Sequence, residues 1–115
     1  MSIRSSLLAI CGGQKAVVTV NQRHGIHARP GAAIAKLTQQ TPKPIFFTTR
    51  KYGTENIRGS LLLLLQMQLG EGTKVKIEVP KGYPKDIFKN VLEIIKATNT
   101  DICHKFMNVL ELSKY

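Results

Sequence analysis

The sequence predicts an α+β open-faced sandwich: a four-stranded antiparallel sheet with helices on one face, in the order βαββαβα. Three observations lead there. Runs rich in β-branched and aromatic residues (16–20, 45–49, 74–79) alternate with stretches whose apolar positions recur at three and four. Proline and glycine fall at the joints between them. Residues 74–79 alternate Lys and Glu with Val75, Ile77 and Val79, the pattern of a strand with one wet face, so the sheet is expected to be covered on one side only.

Each element has its own signal. Residues 16–20 (AVVTV) read as a buried strand that ends in a polar loop over 21–25. From Pro30, the positions Pro30, Ala33, Ile34 and Leu37 share one helical face, which predicts a helix over 28–39. Thr41-Pro42-Lys43-Pro44 stops it, because proline removes a donor and pushes the residue before it out of the α region. Residues 45–49 (IFFTT) and 55–57 form two strands of a hairpin turning at Gly53. Ser60 caps a short helix over 60–69 that carries five leucines and ends at Gly70-Glu71-Gly72. Pro84, Asp86 and the stripe Ile87, Phe88, Val91, Leu92 and Ile95 predict a further helix. Beyond it, Ile102, Phe106, Val109 and Leu110 are spaced for an extra C-terminal amphipathic helix.

At 115 residues the chain reads as one domain, too small for a substrate cleft and a separate cofactor domain. Cys11 and Cys103 form no CxxC pair, so a reducing cytoplasm is the expected compartment. The apolar run at 7–11 is too short for a signal-peptide core, and no stretch approaches the ~20 apolar residues of a membrane span. Seventeen Lys and Arg against seven Asp and Glu give a net charge of +10, a surface that attracts acidic proteins or polyanions.

Gly25-Ile26-His27-Ala28-Arg29-Pro30-Gly31 is the chemically informative segment. It sets a histidine, an arginine and a proline at the start of a helix. A helix N-terminus presents unpaired N–H groups and a partial positive charge, which stabilise an anion. An imidazole at that position offers a ring nitrogen that can attack phosphorus. Arg29 could pair with phosphoryl oxygens, and Pro30 lacks an N–H that the first turn would leave unpaired anyway.

This segment, preceded by a strand and followed by an alanine-rich helix, resembles the active-site signature of the histidine-containing phosphocarriers, the HPr family of the phosphoenolpyruvate-dependent phosphotransferase system. Ser60, with its leucines and Gly72 downstream, is similar to that family's regulatory-serine segment. The resemblance divides the chain into an N-terminal extension (1–15), a phosphocarrier domain (16–98) and a C-terminal extension (99–115). It implies that His27 accepts a phosphoryl group from enzyme I, steadied by Arg29 and by the backbone of Ala28, Arg29 and Gly31. The group would pass to a downstream acceptor of the EIIA type, in a sugar-transport or a regulatory branch. Such a carrier is not a stand-alone enzyme and needs no metal or cofactor. The resemblance further implies that Leu61 and Leu62 dock the partner proteins, with Lys36 contributing charge, and that Ser60 is the target of a serine kinase. The chain departs from the pattern at His24, at Gly31 and at Gly59 before the serine. Alanine at position 31 would be expected to stabilise the helix by up to ~1 kcal/mol.

Other readings are weaker. His24 and His27 have HxxH spacing, but the loop offers no nearby carboxylate or cysteine to complete a metal site. A phosphorylation-dependent adaptor keeps the same fold and moves the function to regulation. A basic nucleic-acid-binding module has the charge in its favour but lacks an RNP-like aromatic strand or a GXXG loop, and Phe46 and Phe47 point to opposite faces.

Overall fold

The alternation of β-branched residues with polar ones puts one side of each strand into a core, and the helices supply the other wall. The computed structural model describes residues 13–97, so the helix expected over 101–115 lies outside the described residues. The elements are β1 (Gln14–Thr19), α1 (Ala28–Gln39), β2 (Phe46–Thr49), β3 (Gly53–Asn56), α2 (Leu61–Gln66), β4 (Lys74–Val79) and α3 (Lys85–Lys96). This is the expected α+β order. The sheet runs β1-β4-β2-β3 with every neighbouring pair antiparallel. α1 packs against α2 and α3, and α3 against β1.

Between sheet and helices, Val18, Val20, Ile34, Leu37, Ile45, Phe47, Leu64, Ile77, Val91, Ile94 and Ile95 form one continuous core. Phe47 is fully buried there, whereas Phe46 lies half-buried on the opposite side of β2. Ser60 Oγ accepts from Leu63 N–H at 3.2 Å and caps α2. α2 is shorter than the sequence suggested. Gln68 turns into the left-handed region at φ 50°, breaking the helix and folding Leu69 back into the core.

One expectation fails on β4. The alternation there predicted a wet outer face, yet Glu78 is only 2 % exposed. β4 is a central strand, and its outward residues are flanked from both sides: Lys15 of β1 and Phe46 of β2 are both register partners of Glu78. Lys76 Nζ approaches Glu78 Oε1 at 3.4 Å. The long side chains of the neighbouring strands thus cover a position that a single strand's pattern marks as solvated.

Tyr83 joins the core with its hydroxyl buried and without a hydrogen-bond partner among the described residues. Burial pushes its phenol up to about 12, against a smaller opposing effect of the Arg58 charge. Tyr83→Phe removes an unsatisfied polar atom and is expected to stabilise the domain by about 1 kcal/mol. A phenol with a raised pKa contributes stability in full below its unfolded value of 10.0 and loses it as pH rises toward about 12. The variant should therefore lack that alkaline loss, which thermal melts at pH 8 and pH 11 would show.

Candidate functional site

The loop between β1 and α1 is held at both ends before it presents His27. At its start, Asn21 and Gln22 satisfy carbonyls that the end of α3 would otherwise leave open. Asn21 N–H donates to Ile95 O at 3.0 Å, Asn21 Nδ2 to Lys96 O at 3.1 Å, and the buried Gln22 Nε2 to Ile94 O at 2.8 Å. Farther along, Val20 N–H donates to Thr73 O, Gly72 N–H to Val20 O and Ile26 N–H to Leu69 O. The segment between α2 and β4 thereby grips the loop from the other side. Gly25, at φ 74°, allows the loop to turn against Leu69 and Gly70.

His27 is the N-cap of α1, with extended backbone at φ −101° and ψ −159°. Its ring makes no capping hydrogen bond and is half-buried. α1 carries no acidic residue in its first turn, and Arg29 is exposed. Pro30 has no N–H, and Gly31 N–H donates to His27 O at 2.8 Å. The donors left for an anion are therefore the backbone N–H groups of Ala28 and Arg29. This corrects the expectation that Gly31 also contributes its N–H. His24 lies nearby, its ring centroid 6.3 Å from that of His27 at an interplanar angle of 62°. Among the described residues no cluster of His, Cys, Asp or Glu is arranged to hold a metal ion.

Gly31 has a different role from the one sequence suggested. A Cβ there would lie 2.7 Å from Leu61 Cδ1, so the glycine is the seat on which α2 rests. Gly31→Ala gains helix propensity but displaces Leu61, and the two effects oppose each other. A net change within about 1 kcal/mol is expected instead of a clear stabilisation. A melting temperature raised by more than about 5 °C would contradict this packing.

The close approach of α2 to the start of α1 sets Leu61 against Gly31, four residues after His27. Leu64 is buried, Leu61 and Leu63 are half-buried, and Leu62 and Leu65 are exposed at 65 % and 40 %. Leu61 lies against Gly31 in the first turn of α1, and Leu62 is exposed on the same short helix. Leu65 was missed, although its spacing of three from Leu62 could have shown it. Lys36 stands in the last turn of α1, about 12 Å along the axis from Ala28. Ser60 is half-buried at the N-cap of α2. Arg58 beside it donates instead to the carbonyls of Gln39 and Thr41, closing the end of α1.

Fold and site define a small open-faced α+β sandwich that presents one histidine and one arginine at a helix N-terminus. A family model described as the phosphotransferase-system HPr component phosphorylation site matches residues 14–97. No curated protein sequence matches the chain. Solved structures that share its fold include three phosphocarriers. The phosphocarrier protein HPr of Bacillus anthracis superposes with a TM-score of 0.63 at 18 % identity, over 72 % of this chain and 96 % of its own. HPr-C-His from Thermoanaerobacter tengcongensis gives 0.63 at 17 %, over 71 % and 90 %. The histidine-containing phosphocarrier protein of Mycoplasma gives 0.56 at 18 %, over 84 % and 96 %. The chain belongs to the HPr family of phosphocarrier components of the phosphotransferase system.

Proposed function

We propose that the protein accepts a phosphoryl group on Nδ1 of His27 from enzyme I, charged by phosphoenolpyruvate, and passes it to a cytoplasmic acceptor of the EIIA type. The observation that carries this reading is the position of His27 as an N-cap whose ring is not used for capping, beside Arg29 and two backbone donors that have no partner among the described residues. In the transfer the donor's bond to phosphorus breaks as the bond from the imidazole nitrogen forms. The incoming phosphoryl oxygens meet the N–H groups of Ala28 and Arg29 and the guanidinium of Arg29. Both donor and acceptor are nucleophiles, so the domain has only to orient an accessible ring and offset charge.

Incubation of the full chain with enzyme I, magnesium and phosphoenolpyruvate, followed by intact-mass analysis, tests the proposal. An acid-labile adduct of one phosphoryl group is expected. No adduct with either a general or a cognate enzyme I would overturn it.

Exposed Leu62 and Leu65, with half-buried Leu61, form the apolar surface on which the partner proteins dock, since large aliphatic residues left exposed on a helix packed at the start of α1 mark an interface. Leu62→Glu is expected to lower kcat/KM for phosphorylation by about 30-fold, the effect of losing a central contact of about 2 kcal/mol. Its melting temperature should match the wild type, because Leu62 is not part of the core. Phosphorylation of Ser60 by a serine kinase would add charge beside this surface and oppose docking.

A further inference from the structure

We propose that the cavity between the β2–β3 turn and the end of α2 is a second anion site, which takes a small molecule bearing a diphosphate. The cavity measures about 550 Å³, within the range of small-molecule sites. Arg50 and Lys51 reach it from the turn and Lys74 from the first residue of β4, and no acidic residue lines it. Three exposed cations and no acid around one concavity make a positive potential there that favours an anion. Among the described residues, the side chains of Arg50 and Lys74 make no hydrogen bond or ion pair, and Lys51 Nζ stands 5.2 Å from the centre of the Tyr52 ring. Two adjacent phosphates match three cations better than one does. Half-buried Tyr52 and buried Met67 add an apolar wall for whatever the diphosphate is attached to.

The floor of the cavity connects to the histidine loop. Gln68, which lines it, is the one non-glycine residue among those described with a positive φ, at 50°. Such backbone strain is held in place by its surroundings and clusters at functional sites. Its carbonyl accepts from Gly70 N–H at 2.8 Å. Thr73, also in the lining, accepts Val20 N–H at 2.9 Å, and Leu69 between them accepts Ile26 N–H at 2.8 Å. An anion that draws Gln68, Thr73 and Lys74 together therefore pulls on both ends of the loop that carries His27. The site would make the protein responsive to a phosphorylated metabolite, independently of whether His27 itself is phosphorylated.

Titration of the full chain with pyrophosphate, and separately with ADP, at physiological salt tests this by backbone amide NMR. Saturable shifts confined to residues 49–52 and 67–74, spreading to Ile26 and His27, are expected. The double variant Arg50→Gln with Lys74→Gln should weaken binding at least tenfold, whereas Lys85→Gln at the start of α3 should leave it unchanged. Tighter binding of ADP than of pyrophosphate would assign the apolar wall to a nucleoside. Non-saturating shifts over all exposed lysines would overturn the proposal, as would a footprint centred on Ala28 and Arg29. An oligonucleotide that displaces pyrophosphate and shifts the whole outer face of the sheet would overturn it in favour of nucleic-acid binding. If the double variant fails to fold, the wild-type footprint alone decides.

Discussion

His27→Ala is expected to reduce phosphoryl acceptance at least about a thousandfold, because it deletes the attacking nitrogen and leaves every supporting group in place. The geometry separates this from a folding effect. The ring makes no capping hydrogen bond, so its removal exposes no backbone donor that was previously satisfied. The loop remains fixed by backbone bonds from Val20, Asn21 and Ile26, none of which involves the imidazole. Melting within a few degrees of wild type is therefore the expected accompaniment. His24 should not substitute, although its ring is only 6.3 Å away, because it precedes the turn at Gly25 and is not the residue that starts α1. Intact-mass analysis of both His27→Ala and His24→Ala distinguishes the two. An adduct that survives the first and disappears in the second would transfer the role to His24.

Gly25→Ala is expected to be the most damaging single change to the fold near the site. At φ 74° an alanine is already strained, and its Cβ would lie 2.6 Å from Leu69 O and 2.8 Å from Gly70 Cα. Both are backbone atoms, which cannot rotate away as a side chain does. The loop must lift from the segment after α2, and the bond from Ile26 N–H to Leu69 O goes with it. A loss of about 3 kcal/mol follows from the combined strain and broken contact. For a domain of this size that lowers the melting temperature by more than about 10 °C. Phosphorylation of the folded fraction should also slow, because His27 would no longer be held at the helix start. A melting temperature within a few degrees of wild type would show that the loop does not depend on this contact.

The contrast between Gly25 and Gly31 shows where the sequence was readable. α1 was legible to the residue, because its apolar spacing is regular and two prolines follow it. The positions of His27 and Arg29 were legible because Pro30 and the apolar spacing after it mark where the helix starts. The same local logic could not see that Gly31 seats Leu61, since that depends on how close α2 comes. Nor could it find Gln22, a polar residue in a polar stretch, whose buried amide closes the end of a helix 72 positions away in sequence. Glu78 was misread for a related reason: strand alternation reports which side a residue faces, not whether its neighbours lean over it. Gln68 gave no signal, as glutamine is not a residue that marks a left-handed turn. Local periodicity was enough for element type and for placing His27 at the start of α1. Packing between distant elements set the rest.

The strand order carries a consequence for how the molecule comes into being. β2 and β3 form a hairpin as soon as both exist, but β4 is inserted between β1 and β2, pairing with strands that left the ribosome well before it. Until residues 74–79 emerge, β1 and β2 each keep an open edge that can recruit a neighbouring chain. The loop bearing His27 waits on the same event, because its anchors at Leu69 and Thr73 lie just ahead of β4. A chain stalled before β4 thus carries His27 without the frame that orients it.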